Sequence, residues 1–475
     1  AMEKTLGEFY DKEDVDFFKV VELFSNEKDD SSFIDIIHSV YDFVQSCPFP
    51  DAWFKEKKKL YSEKINISDT VWGKTLIRYV YDTVSCCESL LQKALHLVDG
   101  DENLKEFYSD ALSEELSAIG FIKSSLKQSW DSIIYSLKKF KKGHRKRIPK
   151  EMQNDIYIYK VESVRDYVKK SIDKLKKCFA FQESICRCDI ENISLIVSKL
   201  FEVTNCFIRE MDKIKQEKNI AEFSDLEHWM IKLLVEKTEN GKNVKSDTAK
   251  DISARFDEIM IDEYQDTNET QDLIFKMISQ NERNLFMVGD VKQSIYGFRQ
   301  AKPEIFLNKK NQYELYDSTE KNSRPCKIIL AKNFRSRSGI IDTVNFIFNE
   351  LMSKESCGID YGSEEALTSA AQYEKKNEPE TVLEIIETQT GDDNDTVEAA
   401  RIAEIISKMV SEKYMVKDGD AQRPVTYRDF CILLRSANKH ANAYVKELNN
   451  QGIPMRPENF SVQQKSQLSC HCCVW

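Results

Sequence analysis

Glycine and proline are scarce, at 14 and 9 of 475 residues, which excludes collagen-like, linker-rich and low-complexity architectures. No apolar run approaches the roughly 18 residues that would suggest a membrane span. The opening Ala1-Met2-Glu3-Lys4 starts no apolar stretch like a signal peptide, so the expected localisation is cytoplasmic. Zinc-ligand spacing is missing from the 13 cysteines. Cys186 and Cys188 are one residue apart, and Cys470, His471, Cys472 and Cys473 crowd too closely to surround one metal. Cysteines such as Cys178, Cys206 and Cys431 fall in helical surroundings and read as reduced thiols. An excess of positive charge is also lacking: the net charge is -11, which argues against bulk attraction to nucleic acid.

What is present is a globular composition, 41% hydrophobic and 31% charged, suited to long helices with solvated faces. The length allows about two to four domains. One segment runs against the acidic balance. Lys138, Lys139, Lys141, Lys142, Arg145, Lys146, Arg147 and Lys150 occur with no acid among them. Such a cluster suits a DNA phosphate backbone, where neutralisation releases counterions, and equally suits a solvated basic loop.

Helical spacing dominates from about 8 to 235, as in Phe33 to Tyr41, where apolar side chains return every three or four residues. Breaks fall at Pro48-Phe49-Pro50, Asp99-Gly100-Asp101 and Gly143 to Pro149. Near residue 256 the pattern changes. Phe256 to Ile261, Asn284 to Val288 and Lys327 to Ala331 are short apolar runs ending in polar and charged residues. Helical stretches at about 268–280, 303–314 and 337–352 lie between or after them. Strands alternating with helices predict a parallel sheet covered on both faces, with functional residues beyond the strands' carboxyl ends. After an acidic, linker-like stretch from Ser353 to Glu380, Thr381 to Ile386 and Phe430 to Leu434 read as strands flanking a helix from about Asp395 to Glu412. From about Ser461 the composition turns rich in Gln, Ser and Cys, an atypical tail that continues no pattern.

Three blocks carry chemistry. Asp262-Glu263-Tyr264-Gln265-Asp266-Thr267-Asn268 follows the first strand. Nucleotide hydrolysis needs one carboxylate for hydrated Mg²⁺ and another to orient and deprotonate the attacking water, and adjacent acids can divide those tasks. Gly289 to Ala301 follows the second strand. It offers Gln293 to sense the γ-phosphate or the water, and Tyr296 and Phe298 as aromatic faces on which single-stranded bases can stack. Taken alone, both rings also suit a core. Asn333-Phe334-Arg335-Ser336 follows the third run, where an arginine can stabilise charge on a γ-phosphate.

In this order the blocks resemble motifs II, III and IV of the UvrD, Rep and PcrA class of superfamily 1 DNA helicases. The resemblance implies that Asp262 binds Mg²⁺, with Glu263 beside it as general base. It implies that Gln265 and Gln293 couple nucleotide to DNA, that Arg335 contacts the γ-phosphate, and that Tyr296, Phe298 and Arg299 lie along the single strand. Lys142, Arg145 and Arg147 are the candidates for duplex contact. Lys292, the run Phe298 to Pro303, Val344 to Phe348 and Tyr427 to Ser436 are more similar to the larger, AddA component of AddAB-type helicase-nucleases. That branch implies ATP and Mg²⁺ as cofactors, a DNA single strand and duplex end as substrate, and partnership with a B subunit, with a nuclease domain elsewhere.

The implied fold is α/β with a large all-helical domain: a partial RecA-like parallel sheet of the P-loop NTPase type, without its N-terminal phosphate-binding portion. The expected division is a helical insertion at 1–220, the distal half of a first RecA-like domain at 221–380, and the start of a second at 381–475. Gly73-Lys74-Thr75 is a decoy, because Ser68 stands where a P-loop needs its first glycine. The sequence on its own is therefore expected not to hydrolyse ATP. A stand-alone UvrD-type repair helicase and a non-catalytic DNA-binding or scaffold module are the alternatives.

Overall fold

The computed structural model describes residues 1–455 except 27, 28, 63–65, 150–154, 239, 240, 320–324, 363, 375–378, 390, 392 and 420. Lys150 and the atypical tail with its Cys470–Cys473 cluster lie outside the described residues. The chain divides into two compact units, Ala1–Ile328 and Ile329–Trp475. The architecture is mixed, with many helices and small open sheets. No described helix is long and apolar enough to cross a membrane.

In the first unit, two helical cores form where heptad-like apolar spacing meets side-chain caps. Helix Val71–Asp99 buries Val80, Val84, Cys87, Leu91, Ala94 and Val98, one stripe at steps of three and four. It packs with Glu102–Ser125, Trp130–Lys139 and Ile156–Cys178 around Tyr108, Leu112, Ile119, Val161, Val168 and Ile172. Each helix starts on an oxygen-bearing cap: Thr70, Asp101, Ser129 and Asp155 accept from first-turn N–H groups, each stabilising by about 1 kcal/mol. A second core gathers Phe9, Phe17, Phe33, Ile37, Tyr41, Val203 and Phe207 from helices Met2–Asp11, Val15–Phe24 and Ser31–Gln45 against helix Glu183–Lys218. That 36-residue helix serves both cores, because Cys186 and Ile190 pack on the first and Val203 and Phe207 lie in the second.

A buried ionic network fixes the basic loop after Lys139. Arg165 and Glu115, each 1% exposed, pair at 2.7 Å. Arg165 also donates to the Gly143 carbonyl at 2.6 Å, and Glu115 accepts the Gly143 N–H at 2.9 Å. Gly143 has to be glycine, since a Cβ there would stand 2.4 Å from the Ala111 carbonyl oxygen. Around this centre, Glu162 receives Tyr108, Lys142 and Arg145 at 2.9, 3.1 and 2.6 Å.

The helices lead through Phe223–Leu234 and an antiparallel hairpin, Val235–Lys237 with Asn243–Lys245, to the α/β portion. Strand Ile259–Ile261 pairs in parallel with Leu285–Met287, Ile259 opposite Leu285, and helix Glu269–Ile278 lies between them in sequence. This is the βα alternation expected from the sequence. The third run behaves otherwise: Cys326–Lys327 pairs with Glu314–Leu315, and Lys332–Asn333 pairs with Thr368–Ser369, as separate two-stranded sheets.

In the second unit, helix Asn394–Ser411 packs on Ala437–Asn450 around Ala399, Ala403, Ile406, Tyr444 and Leu448. Helix Ser338–Leu351 matches the expected stretch. Thr381 to Ile386 and Phe430 to Leu434 are not strands. A strand is held by its neighbours' backbone groups, and no described strand pairs with either segment. Leu383 and Ile385 stay almost wholly exposed, while Glu384 is tied to helix Asn394–Ser411 by a two-pronged pair with Arg401.

Candidate nucleotide-hydrolysis site and nucleic-acid surface

Beyond Ile261 the parallel ladder continues. The Val288 N–H donates to the Ile261 carbonyl, and the Tyr264 N–H to the Val288 carbonyl, both at 2.8 Å. The two acid-bearing turns therefore leave the sheet side by side. Asp262 and Glu263 are exposed there. Asp262 accepts the Glu263 N–H at 2.9 Å. Glu263 has φ +49° and ψ +42°, left-handed geometry that a side-chain-bearing residue adopts at a cost. Tyr264 anchors the turn from below, fully buried, with its hydroxyl 2.5 Å from Asp272. Burial, then the Asp272 carboxylate, raises its pKa above the usual phenol range.

Gln265 joins the two motifs. It is 1% exposed, its amide donates to Glu263 Oε2 at 2.8 Å, and its Oε1 accepts the Asp290 N–H at 2.9 Å. Asp290 in turn holds Gln293 Nε2 at 3.0 Å and Lys292 Nζ at 2.8 Å. Gly289 makes this possible. A Cβ there would meet Gln265 Oε1 at 2.5 Å and the Phe306 ring at 3.1 Å. Gly289→Ala is therefore expected to push Gln265 off both partners. In the full-length protein that should cut ATP turnover by about tenfold or more with little change in the melting temperature, measured by steady-state hydrolysis beside thermal unfolding.

Sequence reasoning assigns no role to Asp290 or Asp266, although both lie within the motifs. Asp266 Oδ1 is buried without a hydrogen-bond partner among the described residues. Burial and then the nearby Glu263 charge raise its pKa. The signal for Asp290 is its place directly after a strand-ending glycine.

The exposed carboxylates fit a hydrated Mg²⁺. Hard oxygen donors at a strand end suit an ion that keeps several waters and borrows phosphate oxygens, and no group of three or more acidic, His or Cys side chains among the described residues forms a closed cage.

Tyr296 and Phe298 are not core residues. Phe298 is 66% exposed and Tyr296 36%, their centroids are 5.8 Å apart, and the Arg299 guanidinium lies 5.3 and 5.8 Å from the two rings. This is an open aromatic and cationic face. Arg335, in the second unit, is exposed after strand Lys332–Asn333. Asn333 shapes its turn by accepting the Arg335 and Ser336 N–H groups at 2.9 and 2.8 Å.

The basic loop divides. Lys142 is paired with Glu162 and Asp166, and Arg145 with Glu162. Arg147 and Lys141 are exposed. Gly73-Lys74-Thr75 sits inside helix Val71–Asp99, where the Ile67 carbonyl presses on Gly73. The nearest described element before it is a 3-10 turn at Ile67–Asp69, itself preceded by helix Pro50–Ser62, rather than a strand.

Comparison with known proteins agrees with this geometry. Residues 79–314 match the UvrD/REP helicase N-terminal domain. The chain is 34% identical to the AddA-type component of the ATP-dependent helicase/nuclease of Clostridium kluyveri, over 96% of this chain and 38% of that protein. It is 34% identical to the corresponding protein of Clostridium beijerinckii, over 97% and 39%, and 33% identical to that of Bacillus mycoides, over 96% and 38%. The chain thus spans about two fifths of the length of these relatives. With its acid-bearing strand ends interlocked through Gln265 and its matches running along nearly the whole sequence, the chain belongs to the UvrD/REP-like superfamily 1 helicases and is similar throughout to the ATP-dependent helicase/nucleases of these bacteria.

Proposed function

We propose that this chain is part of an AddA-type protein that hydrolyses ATP to move along DNA during double-strand-break repair and recombination, with a nuclease domain elsewhere and a B subunit for its partner. The observation that carries the reading is the interlock of Asp262-Glu263 with Gly289-Asp290 and Gln293 through the buried Gln265. Residues 1–220 would be the helical insertion, 221–380 the distal part of a first RecA-like domain, and 381–475 the start of a second.

In this reading Asp262 holds Mg²⁺ through water, and the ion neutralises the charge of the phosphates when bound. Glu263 points an ionised oxygen into solvent and accepts the proton of the attacking water. Gln265 fixes the rotamer of Glu263. Gln293, held by Asp290, faces the same strand ends and links the nucleotide to the aromatic face beyond it. Arg335 supplies positive charge to the γ-phosphate. Tyr296 and Phe298 stack single-stranded bases, with Arg299 adding a cation between them.

Lys142, Arg145 and Arg147 belong to a helical module, residues 67–182, with 21 Lys and Arg against 16 Asp and Glu in an otherwise acidic chain. A duplex end is its proposed ligand. Lys142 and Arg145 must exchange carboxylate partners for phosphates, so Arg147 and Lys141 would make the first contacts.

The test is ATP hydrolysis by the full-length protein with and without single-stranded DNA. Stimulation of about tenfold or more, on the scale usual for positioning effects, supports a motor. Turnover that is absent or indifferent to DNA replaces it with the scaffold reading.

A further inference from the structure

The five residues after Asp266 are bonded to four other parts of the first unit, more than the hydrolytic reading requires. Thr270, 0% exposed, donates its hydroxyl to the Ser46 carbonyl at 2.8 Å across 224 residues of sequence. Ser46 closes helix Ser31–Gln45, and its carbonyl is one of those a helix end leaves unpaired. The next carbonyl, of Cys47, is taken by His228 Nε2 at 3.1 Å. Gln271 completes the cap of its own helix on Asn268 and reaches Glu227 with its amide at 2.9 Å. The Thr267 carbonyl accepts the Lys302 N–H at 3.0 Å, and Glu269 pairs with the Lys302 ammonium at 2.6 Å. Helix Ser31–Gln45, helix Phe223–Leu234 and the residue just beyond the aromatic face thus all converge on one helical turn.

That turn is joined without a break to Glu263. Gln265 is locked between Glu263 and Asp290, Thr267 is buried, and the intervening 3-10 turn leaves little slack. Since Glu263 sits in a left-handed conformation, its carboxylate direction depends on where the following turn is held.

We propose that Thr270, supported by Gln271 and Glu227, is a positioning residue for Glu263: the helical module, through the Ser46 carbonyl, sets the aim of the hydrolytic carboxylate. This rests on the hydrolytic reading for its kinetic consequence, but the contact itself can be tested without it.

The experiment uses the full-length protein with Thr270→Val, which keeps the shape and removes the donor, and Thr270→Ser, which restores it. Two readouts are taken: DNA-stimulated hydrolysis, and amide hydrogen exchange across residues 261–268. The valine variant is expected to lower kcat about tenfold with KM for ATP within about twofold, and to speed exchange at the Glu263 turn. The serine variant should return both towards wild type. If the valine variant does not fold, Glu227→Ala, at a partly exposed site, carries the same expectations. Wild-type kinetics and exchange in the valine variant overturn the proposal, as does a serine variant no better than valine, which would mark Thr270 as packing alone. If wild type itself shows no turnover while exchange follows the expected pattern, the positioning contact stands and the motor reading falls.

Discussion

Glu263→Gln in the full-length protein is expected to lower DNA-stimulated ATP turnover by about 10²- to 10⁴-fold, the usual weight of a general base, while nucleotide binding persists. The substitution is nearly isosteric. Its amide oxygen can still accept from Gln265 Nε2, now 2.8 Å from Glu263 Oε2, so the turn and the link to Asp290 should survive. What disappears is a basic oxygen and one negative charge. Reduced charge should if anything favour the anionic nucleotide, so a fluorescent ATP analogue should bind at least as well as to wild type. Turnover within about tenfold of wild type, outside the range for a lost base, would remove Glu263 from that role. Asp266, whose carboxyl is raised by burial and by the Glu263 charge, would be the acid to replace next.

The second large effect is on stability. Glu115→Ala is expected to destabilise the outer helical core by about 3–5 kcal/mol, because it strands a buried arginine. Arg165 is 1% exposed and would keep only the Gly143 carbonyl and Glu162. The Gly143 N–H would lose its acceptor as well. Replacing both partners, as in Glu115→Leu with Arg165→Met, should recover most of the loss, since a packed apolar pair often equals a buried ion pair. Urea unfolding of the chain reads both variants. An Ala variant as stable as wild type would show that the network is solvated rather than buried. Added salt should leave the Arg165–Glu115 contribution almost unchanged, in contrast to the exposed Lys146–Glu106 pair.

Much of this was legible in the sequence, for reasons that differ by region. In the helical part a stripe such as Val80, Val84, Cys87 and Leu91 declares both the helix and its buried face. In the α/β part, the order of strand, acid pair, strand and Gly-Asp was enough to place two turns together. The single residue binding them, Gln265, looked like any polar side chain, because its burial depends on a glycine 24 positions later.

Long-range charge pairing was equally hidden. The run from Lys138 to Lys150 reads as one basic surface, yet Lys142 and Arg145 direct their charge to Glu162 and Asp166. Apolar runs also overstate strands. Thr381 to Ile386 has the composition of one, but composition supplies no neighbour for its backbone.

The helix Glu183–Lys218 has a mechanical consequence. Two cores that share a rod cannot be displaced independently, because a tilt imposed at one end is carried along the axis. Phe207 is embedded in one core and Cys186 rests on the other, about 31 Å away along the axis at the standard rise. A tilt of about 5° at the Phe207 end would sweep the Cys186 end through roughly 3 Å at that length, about the size of one hydrogen bond. The basic module rides on that end. A small rearrangement around Tyr41 and Phe207, beside the helix that presents Ser46 to Thr270, is thus magnified into a move large enough to make or break its grip on a phosphate.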